Sequence, residues 1–388
     1  MEEKFIYRKK YKLRAIILII VGFLLLLTSL VIFNIGAERL WANILLNNYF
    51  YLSFGLGAVI FIAIHNLGFS GWHTLIQRIP EAMSSFLPVS GIIMLLIALF
   101  GIPHLYHWSH TENLDSVLLE KTPYLNIPFF IIKLIIYFSV WAGLAYLIRK
   151  NSLQQDLNPD HRIYKKSTKL SAFFIVFFAI TNSTSSWDWL MSIDAHWYST
   201  IFAWYTFSGL FNIALAGIIL LLIFLKETGY LKGVNKNHFH DLGKYLFGFS
   251  VVWMYLWFSQ YLLIWYSNIP EETVYFITRL NDFPFLFFLN LFLCFLFPLL
   301  FLMSTGAKRN SISLTIVCIV VLIGHYVDYY LIIMPGTVGE NAKIGLFEIG
   351  TFILFAGLFL LIVLRYLSKV PLQSKNHPMY EESLTYES

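Results

Sequence analysis

The chain has 388 residues, of which 58% are hydrophobic and 13% are charged, and its mean hydropathy is +0.68. Because about 25% of the residues of soluble domains are charged, this composition excludes an ordinary soluble protein and is typical of a polytopic membrane protein. The net charge of +5 does not indicate a nucleic-acid partner, since the basic residues collect in alternate loops. Cys294 and Cys318 lie in apolar runs, so we expect neither a disulfide framework nor an iron-sulfur cluster on this chain.

Ten apolar runs are long enough to cross a bilayer, which takes about 20 helical residues. The expected fold is an all-α polytopic membrane protein with one transmembrane domain (15–367), a basic tail before it (1–14) and an irregular polar tail after it (368–388). The predicted helices cover 15–33, 49–68, 85–102, 127–148, 168–186, 198–225, 244–267, 283–304, 310–334 and 345–367.

The distribution of basic residues predicts the orientation of these helices. With the N-terminus inside, the inner segments hold 22 of the 27 Lys and Arg residues, and Lys133 lies within a helix. Only four basic residues fall in outer loops: Arg39, Lys121, Arg279 and Lys343. Since cytoplasmic loops are enriched in Lys and Arg, we expect both termini to be cytoplasmic.

Charged side chains inside apolar runs cost a few kcal/mol on insertion scales, so each one marks a candidate site. Lys133 in the fourth run and Asp328 in the ninth lie at matching depths, roughly 10 Å from the outer end. We therefore predict that they face a shared polar interior, with Lys133 as a countercharge. The alternative is that Lys133 extends outward to the interface. His325 shares a helix face with Asp328, which suits either a proton relay or a polar patch that joins helices.

Two outer segments contain further candidate residues. The segment from Trp187 to Phe202 is predicted to be a short re-entry loop, rich in the aromatic rings that favour the membrane boundary. The second segment ends the seventh helix, where an amide at membrane depth needs hydrogen-bond partners. The candidates from both segments are Asp188, Asp194, His196, Gln260 and Glu271.

No motif predicts catalysis or a metal site on this chain alone. The cluster His104, His107 and His110 lacks acidic or cysteine residues at ligand spacing, so we do not expect a metal ion there. His65 and His325 lie toward opposite membrane faces, which disfavours a haem between helices. A redox reaction would therefore need centres on partner chains.

Several motifs resemble those of the NrfD-like membrane subunits of the ActF type (quinone-binding subunit 2 of quinol:cytochrome c oxidoreductase) in bacterial alternative complex III. The segment Ser192-Ile193-Asp194-Ala195-His196-Trp197 is similar to a Ser-Leu-Asp/Glu-Pro-His-Trp segment of that family. Ala195 departs from the family's common proline, which loosens the turn without changing the charged groups. The other similar segments are Asp188–Thr200 as a whole, Asp241–Lys244, Phe258–Thr273, Asp328 with Met334-Pro335, Asn376–Pro378 and Glu382–Leu384.

The resemblance implies two four-helix bundles with one extra helix at each end. It also implies a complex in a bacterial inner membrane with a paralogous membrane subunit, a periplasmic iron-sulfur subunit and c-type cytochrome subunits, which passes electrons from menaquinol to a cytochrome c or a terminal oxidase. This chain would hold no redox centre and no covalent cofactor, with menaquinone or lipid as its non-covalent candidates. The candidate residues would form a proton pathway, namely Asp188, Asp194, His196, Gln260, Glu271, His325 and Asp328, with Lys133 as countercharge.

Two other functions are compatible with the sequence. The first is a purely structural scaffold subunit of the same complex, whose polar groups only join helices. The second is an independent secondary transporter, although the chain lacks paired glycine- or proline-broken helices in matching halves.

Overall fold

A computed structural model describes residues 3–33, 35–110 and 115–387 of the chain. Helices make up 82% of it, and within the described residues ten of them are long and apolar enough to cross a membrane, which confirms the predicted all-α polytopic membrane fold. We label these helices α1 (Lys9–Phe33), α2 (Ala37–Leu67), α3 (Arg78–Leu105), α4 (Ile127–Leu157), α5 (His161–Trp189), α6 (Phe202–Glu227), α7 (Lys236–Ser267), α8 (Pro284–Phe301), α9 (Ser311–Thr337) and α10 (Leu346–Leu367).

The ten helices form two bundles and a pair. Helices α2 to α5 pack around one another, as do α6 to α9, and α2 joins the two bundles through its contacts with α6 and α9. Helices α1 and α10 pack together and lie beside α2. This arrangement agrees with the expected two four-helix bundles flanked by the first and last helices.

Small residues let α1 and α10 approach closely. A side chain added at Gly22 would place its Cβ 2.4 Å from the backbone nitrogen of Leu354, and one added at Gly357 would lie 2.8 Å from the carbonyl oxygen of Ala15. In a bilayer, where apolar surface alone does not drive association, such close backbone packing stabilises a helix pair.

Helix α2 begins at Ala37, twelve residues before its predicted start. The prediction from apolar runs missed the first turns of this helix because they are polar. Arg39 Nε donates to Glu348 Oε1 of α10 at 2.8 Å, and the Asn43 amide donates to the same oxygen at 3.1 Å. These polar residues interrupt the apolar run, but Asn43 is buried and Arg39 is partly buried, and both donate to a carboxylate more than 300 positions away.

Both termini lie at the same end of the bundles, where Leu372 N donates to Glu3 O at 2.8 Å. We call this end the terminal face and the opposite end the distal face. The tail after α10 is not irregular throughout, since Tyr380–Leu384 form a short helix. The hydroxyl of Ser383 donates to the carbonyl of Trp72 at 2.6 Å, so the tail is anchored to the segment between α2 and α3.

Candidate functional site

The most polar point within the second bundle is the carboxylate of Asp328 on α9, which is 2% exposed. It accepts hydrogen bonds from the Tyr205 hydroxyl of α6, from Asn290 Nδ2 of α8 at 2.8 Å and from Trp253 Nε1 of α7 at 3.1 Å. Each helix of the second bundle thus contributes one residue to this hydrogen-bonded group. Because a buried carboxylate is costly without donors, these three bonds let Asp328 lie at membrane depth.

His325 lies one turn from Asp328, toward the terminal face. Its Nδ1 is 3.8 Å from Asp328 Oδ2 and 3.7 Å from Cys294 Sγ, and its ring meets the Trp253 ring edge to face. The 3.8 Å separation is too long for a hydrogen bond. His325 Nε2 is buried and has no hydrogen-bond partner among the described residues. The two residues are therefore neighbours on one helix face, as predicted, but they are not directly bonded.

A small cavity of about 20 Å³, with room for about one water molecule, lies beside Asp328, and we call it the central cavity. Its polar lining includes Asp328, Gln260, Tyr205 and Arg279. Gln260 is buried, and its side-chain oxygen accepts from the Ser199 hydroxyl at 3.5 Å, the limit of a hydrogen bond. The amide on α7 and the carboxylate on α9, which are far apart in sequence, therefore face one polar space.

Arg279, which the sequence analysis assigned only to an outer loop, separates the central cavity from the distal face. It lies on a helix that Pro270 begins and Asp282 ends, between α7 and α8. Its guanidinium donates to Asp194 Oδ2 at 2.9 Å and to the carbonyl of Leu331 at 2.9 Å, and it is 4% exposed. The sequence offers only a weak indication that Arg279 is buried. Tyr275 and Arg279 are four residues apart, so they lie on one face of an amphipathic helix.

Tyr275 fixes Arg279 in place. The guanidinium carbon lies 3.3 Å from the centre of the Tyr275 ring, and the Trp197 ring stacks on Tyr275 with centroids 4.0 Å apart. Burial raises the pKa of Tyr275 to about 12, so its hydroxyl stays neutral near pH 7. A planar cation stacked on an aromatic ring keeps its charge in a fixed position.

A second cavity of about 340 Å³ lies at the distal face, and we call it the distal cavity. Its lining includes three predicted residues, Asp194, His196 and Glu271. Tyr275 and Arg279 line both cavities, so the two spaces adjoin across this pair. We call the two cavities and the pair between them the polar passage. The structure thus groups five of the predicted residues around it: Asp328, Gln260, Asp194, His196 and Glu271.

Two turns position the walls of the distal cavity. Asn268 adopts a left-handed conformation (φ 48°) that ends α7, and Pro270 starts the next helix with Glu271 beside it. On the other side, a Cβ added to Gly336 would lie 2.8 Å from Asp194 Oδ1. The loop that holds Asp194 therefore packs directly on the end of α9.

His196 is exposed, as Glu271 is. Its Nε2 lies 2.6 Å from Asp115 Oδ2, and both side chains are more than half exposed. The backbone N–H of Leu118 and the hydrogen bond with His196 lower the pKa of Asp115. This pair links the loop before α6 to the short helix Ser116–Lys121 at the distal face.

Lys133 and Asp188 form a separate polar centre in the first bundle. Lys133 Nζ lies 2.6 Å from Asp188 Oδ1, and the Tyr137 hydroxyl donates to Asp188 Oδ2 at 3.5 Å. Among the residues that the structure describes, none is hydrogen-bonded by its side chain both to this pair and to Asp328. Lys133 and Asp328 therefore do not share the common polar interior that was expected, but lie in two separate centres, one in each bundle. The countercharge of Lys133 is Asp188. Asp188 lies in α5 itself and not in the loop that follows it, where the sequence had placed it.

Within the described residues, no group of three or more His, Cys, Asp or Glu side chains is arranged to hold a metal ion. His65 Nδ1 bonds to the Phe61 carbonyl of its own helix at 2.7 Å, as a structural histidine does. A scan against protein-family models found no match for this chain, and a search of curated proteins found none either. The structure alone thus defines the class of this protein. It is a polytopic α-helical membrane protein with a polar passage in its second bundle.

Proposed function

We propose that this chain is a non-redox membrane subunit of a respiratory quinol oxidoreductase of the alternative complex III type, and that its second bundle conducts protons. The motifs in 188–200 and 258–273 support the ActF-type, NrfD-like assignment. The adjoining central and distal cavities, which link Asp328 to the distal face, are the observation that carries the proton route.

In this proposal the distal face is periplasmic and the terminal face cytoplasmic, in a bacterial inner membrane. The excess of Lys and Arg in the segments of the terminal face supports this orientation. The iron-sulfur and c-type cytochrome subunits then dock at the distal face, and a paralogous membrane subunit lies alongside in the bilayer. Haem and iron-sulfur clusters belong to those partners, and menaquinol is the electron donor.

The residues of the passage have distinct roles in this mechanism. Asp328 exchanges protons at membrane depth, and Gln260 orients water in the central cavity. Arginine keeps its proton at physiological pH, so Arg279 acts as a fixed positive charge and not as a carrier. It holds Asp194 at the junction of the cavities, and Glu271 and His196 exchange protons with the aqueous phase. Asp188 and Lys133 lie outside this passage and stabilise the first bundle.

The test uses the assembled complex with Asp328→Asn and Asp194→Asn, each compared with Glu340→Gln, an exposed carboxylate that lines neither cavity. Because positioned proton transfer contributes at least about 100-fold, we expect menaquinol oxidation or its proton release to fall by about tenfold or more in both Asn variants. Glu340→Gln should keep wild-type rates. Haem and iron-sulfur content confirm assembly in each case.

A scaffold role is the second candidate, because the three hydrogen bonds to Asp328 also satisfy a purely structural carboxylate. Unchanged turnover and proton release in both assembled Asn variants would leave only this role. Purification of the chain without any haem-containing partner would instead contradict membership of the complex and favour an independent transporter.

A further inference from the structure

A crevice of about 420 Å³ lies between the inner surface of the α1–α10 pair and the two bundles. Helix α2 contributes Phe50, Tyr51 and Phe54 to its wall, and α6 contributes residues from Gly217 to Phe224. Its volume is within the range of about 300–1,000 Å³ that is usual for ligand pockets. The crevice lies away from the proton passage and shares no lining residue with it.

The crevice lies where the α1–α10 pair meets the bundles through bulky side chains and not through close backbone contact. The glycine contacts hold the two helices to each other, while large aromatic rings keep the pair away from the bundles. Phe54 and Phe359 lie with ring centroids 5.0 Å apart, and Tyr11 meets Phe224 edge to face at 5.4 Å. The lining of the crevice is therefore almost entirely apolar.

The crevice has one charged end. Arg14 lines it near the terminal face, is exposed, and makes no hydrogen bond or ion pair with another described residue. Lys10 Nζ lies 5.0 Å from the ring centre of Tyr11, which lines the same end. Acidic side chains are absent from the lining. The entrance thus presents unpaired positive charge beside an apolar space.

The length of the crevice matches one leaflet. Its α10 wall runs from Leu364 near the terminal face to Phe352, twelve residues that rise about 18 Å. Half of a hydrocarbon core of about 30 Å is about 15 Å. At the deep end, the polar side chain among the described lining residues is Tyr51, and its hydroxyl already donates to the Phe352 carbonyl at 3.3 Å.

We propose that this crevice binds one acyl chain of an anionic phospholipid, whose phosphate group pairs with Arg14 at the terminal face. The apolar walls hold the chain, and the guanidinium recognises the phosphate through charged hydrogen bonds. A quinone would need a hydrogen-bond donor for its ring, and the Tyr51 hydroxyl at the deep end already donates to Phe352. The bound lipid fills the space between the α1–α10 pair and the bundles. This site does not depend on the proposed respiratory function.

The test compares the full chain with Arg14→Gln and with the matched control Lys12→Gln, which removes a neighbouring exposed charge that does not line the crevice. Each protein is equilibrated with equal amounts of dioleoyl-phosphatidylglycerol and dioleoyl-phosphatidylcholine, and native mass spectrometry counts the retained lipid. Since one basic residue near an anionic surface contributes about 1 kcal/mol, we expect about fivefold preference for phosphatidylglycerol in the wild type. Lys12→Gln should keep this preference and Arg14→Gln should lose it.

A second variant tests the apolar part of the site. Ala356→Phe places a ring in the crevice, and we expect it to lower retention of both lipids, whereas Ile349→Phe, on the exposed side of α10, should not. Equal retention of the two lipids by the wild type, or an unchanged preference in Arg14→Gln, would overturn the proposal. So would retention of added menaquinone in place of phosphatidylglycerol, with no effect of Arg14→Gln.

Discussion

Removal of the charge on Lys133 should strongly destabilise the first bundle. The Lys133 and Asp188 side chains are 9% and 1% exposed and 2.6 Å apart, so Lys133→Met leaves a buried carboxylate without its countercharge. Breaking a buried ion pair from one side costs about 3–5 kcal/mol, whereas an exposed pair contributes at most about 1 kcal/mol. Because both side chains are buried, we expect Lys133→Met to lower the free energy of unfolding by about 3–5 kcal/mol.

The double variant Lys133→Met with Asp188→Leu separates this cost from a general packing defect. Replacement of both charges by apolar side chains is often neutral for a buried pair, so the double variant should be more stable than Lys133→Met alone. The two changes should show a coupling energy of at least about 2 kcal/mol, within the range seen for residues in contact. The free energy of unfolding is measured for the full chain in mixed micelles, with tryptophan fluorescence as the signal.

Lys343→Met serves as the control, because the Lys343 side chain is exposed near the distal face. It should change the free energy of unfolding by less than about 0.5 kcal/mol. A loss of under 1 kcal/mol in Lys133→Met, or additive losses in the double variant, would refute the assignment of Lys133 and Asp188 as a stabilising pair. In that case Asp188 would again be a candidate for the proton route.

Two further predictions concern the helix pair and the tail. Gly22→Val should lower the free energy of unfolding by about 1–3 kcal/mol, because its side chain would collide with the Leu354 backbone, whereas Gly143→Ala, which meets no neighbouring atom, should not destabilise the protein. For the tail, burial lowers the pKa of His377 to about 4, and its Nδ1 accepts from Met379 N at 3.2 Å. The unfolded tail binds the extra proton first, so docking should weaken as the pH falls from about 6.5 to 4; hydrogen exchange of the tail amides, divided by the intrinsic amide rate at each pH, should therefore rise in the wild type and less in His377→Gln, and an equal ratio at pH 7 and pH 5 would contradict this.

The residues of the proposed proton route could be identified from the sequence to different degrees. Asp328, Gln260 and Glu271 were identifiable because polar groups are conspicuous at or beside membrane depth. Arg279 was missed because a basic residue between two apolar runs is ordinary in a loop. Only its contacts with Asp194 and with backbone carbonyls of α9 show that it is a buried charge.

Hydropathy alone determined the number of helices and the matching side of both termini. A chain in a bilayer must satisfy its backbone groups within each segment, so apolar length specifies a helix without knowledge of its neighbours. The tertiary structure decided which polar groups meet. Asp328 and Tyr205 lie 123 positions apart and Lys133 and Asp188 lie 55 apart, and helical periodicity relates only residues within a few turns. Bundle packing therefore assigned Lys133 to Asp188, and Asp328 to a passage that leads to the distal face.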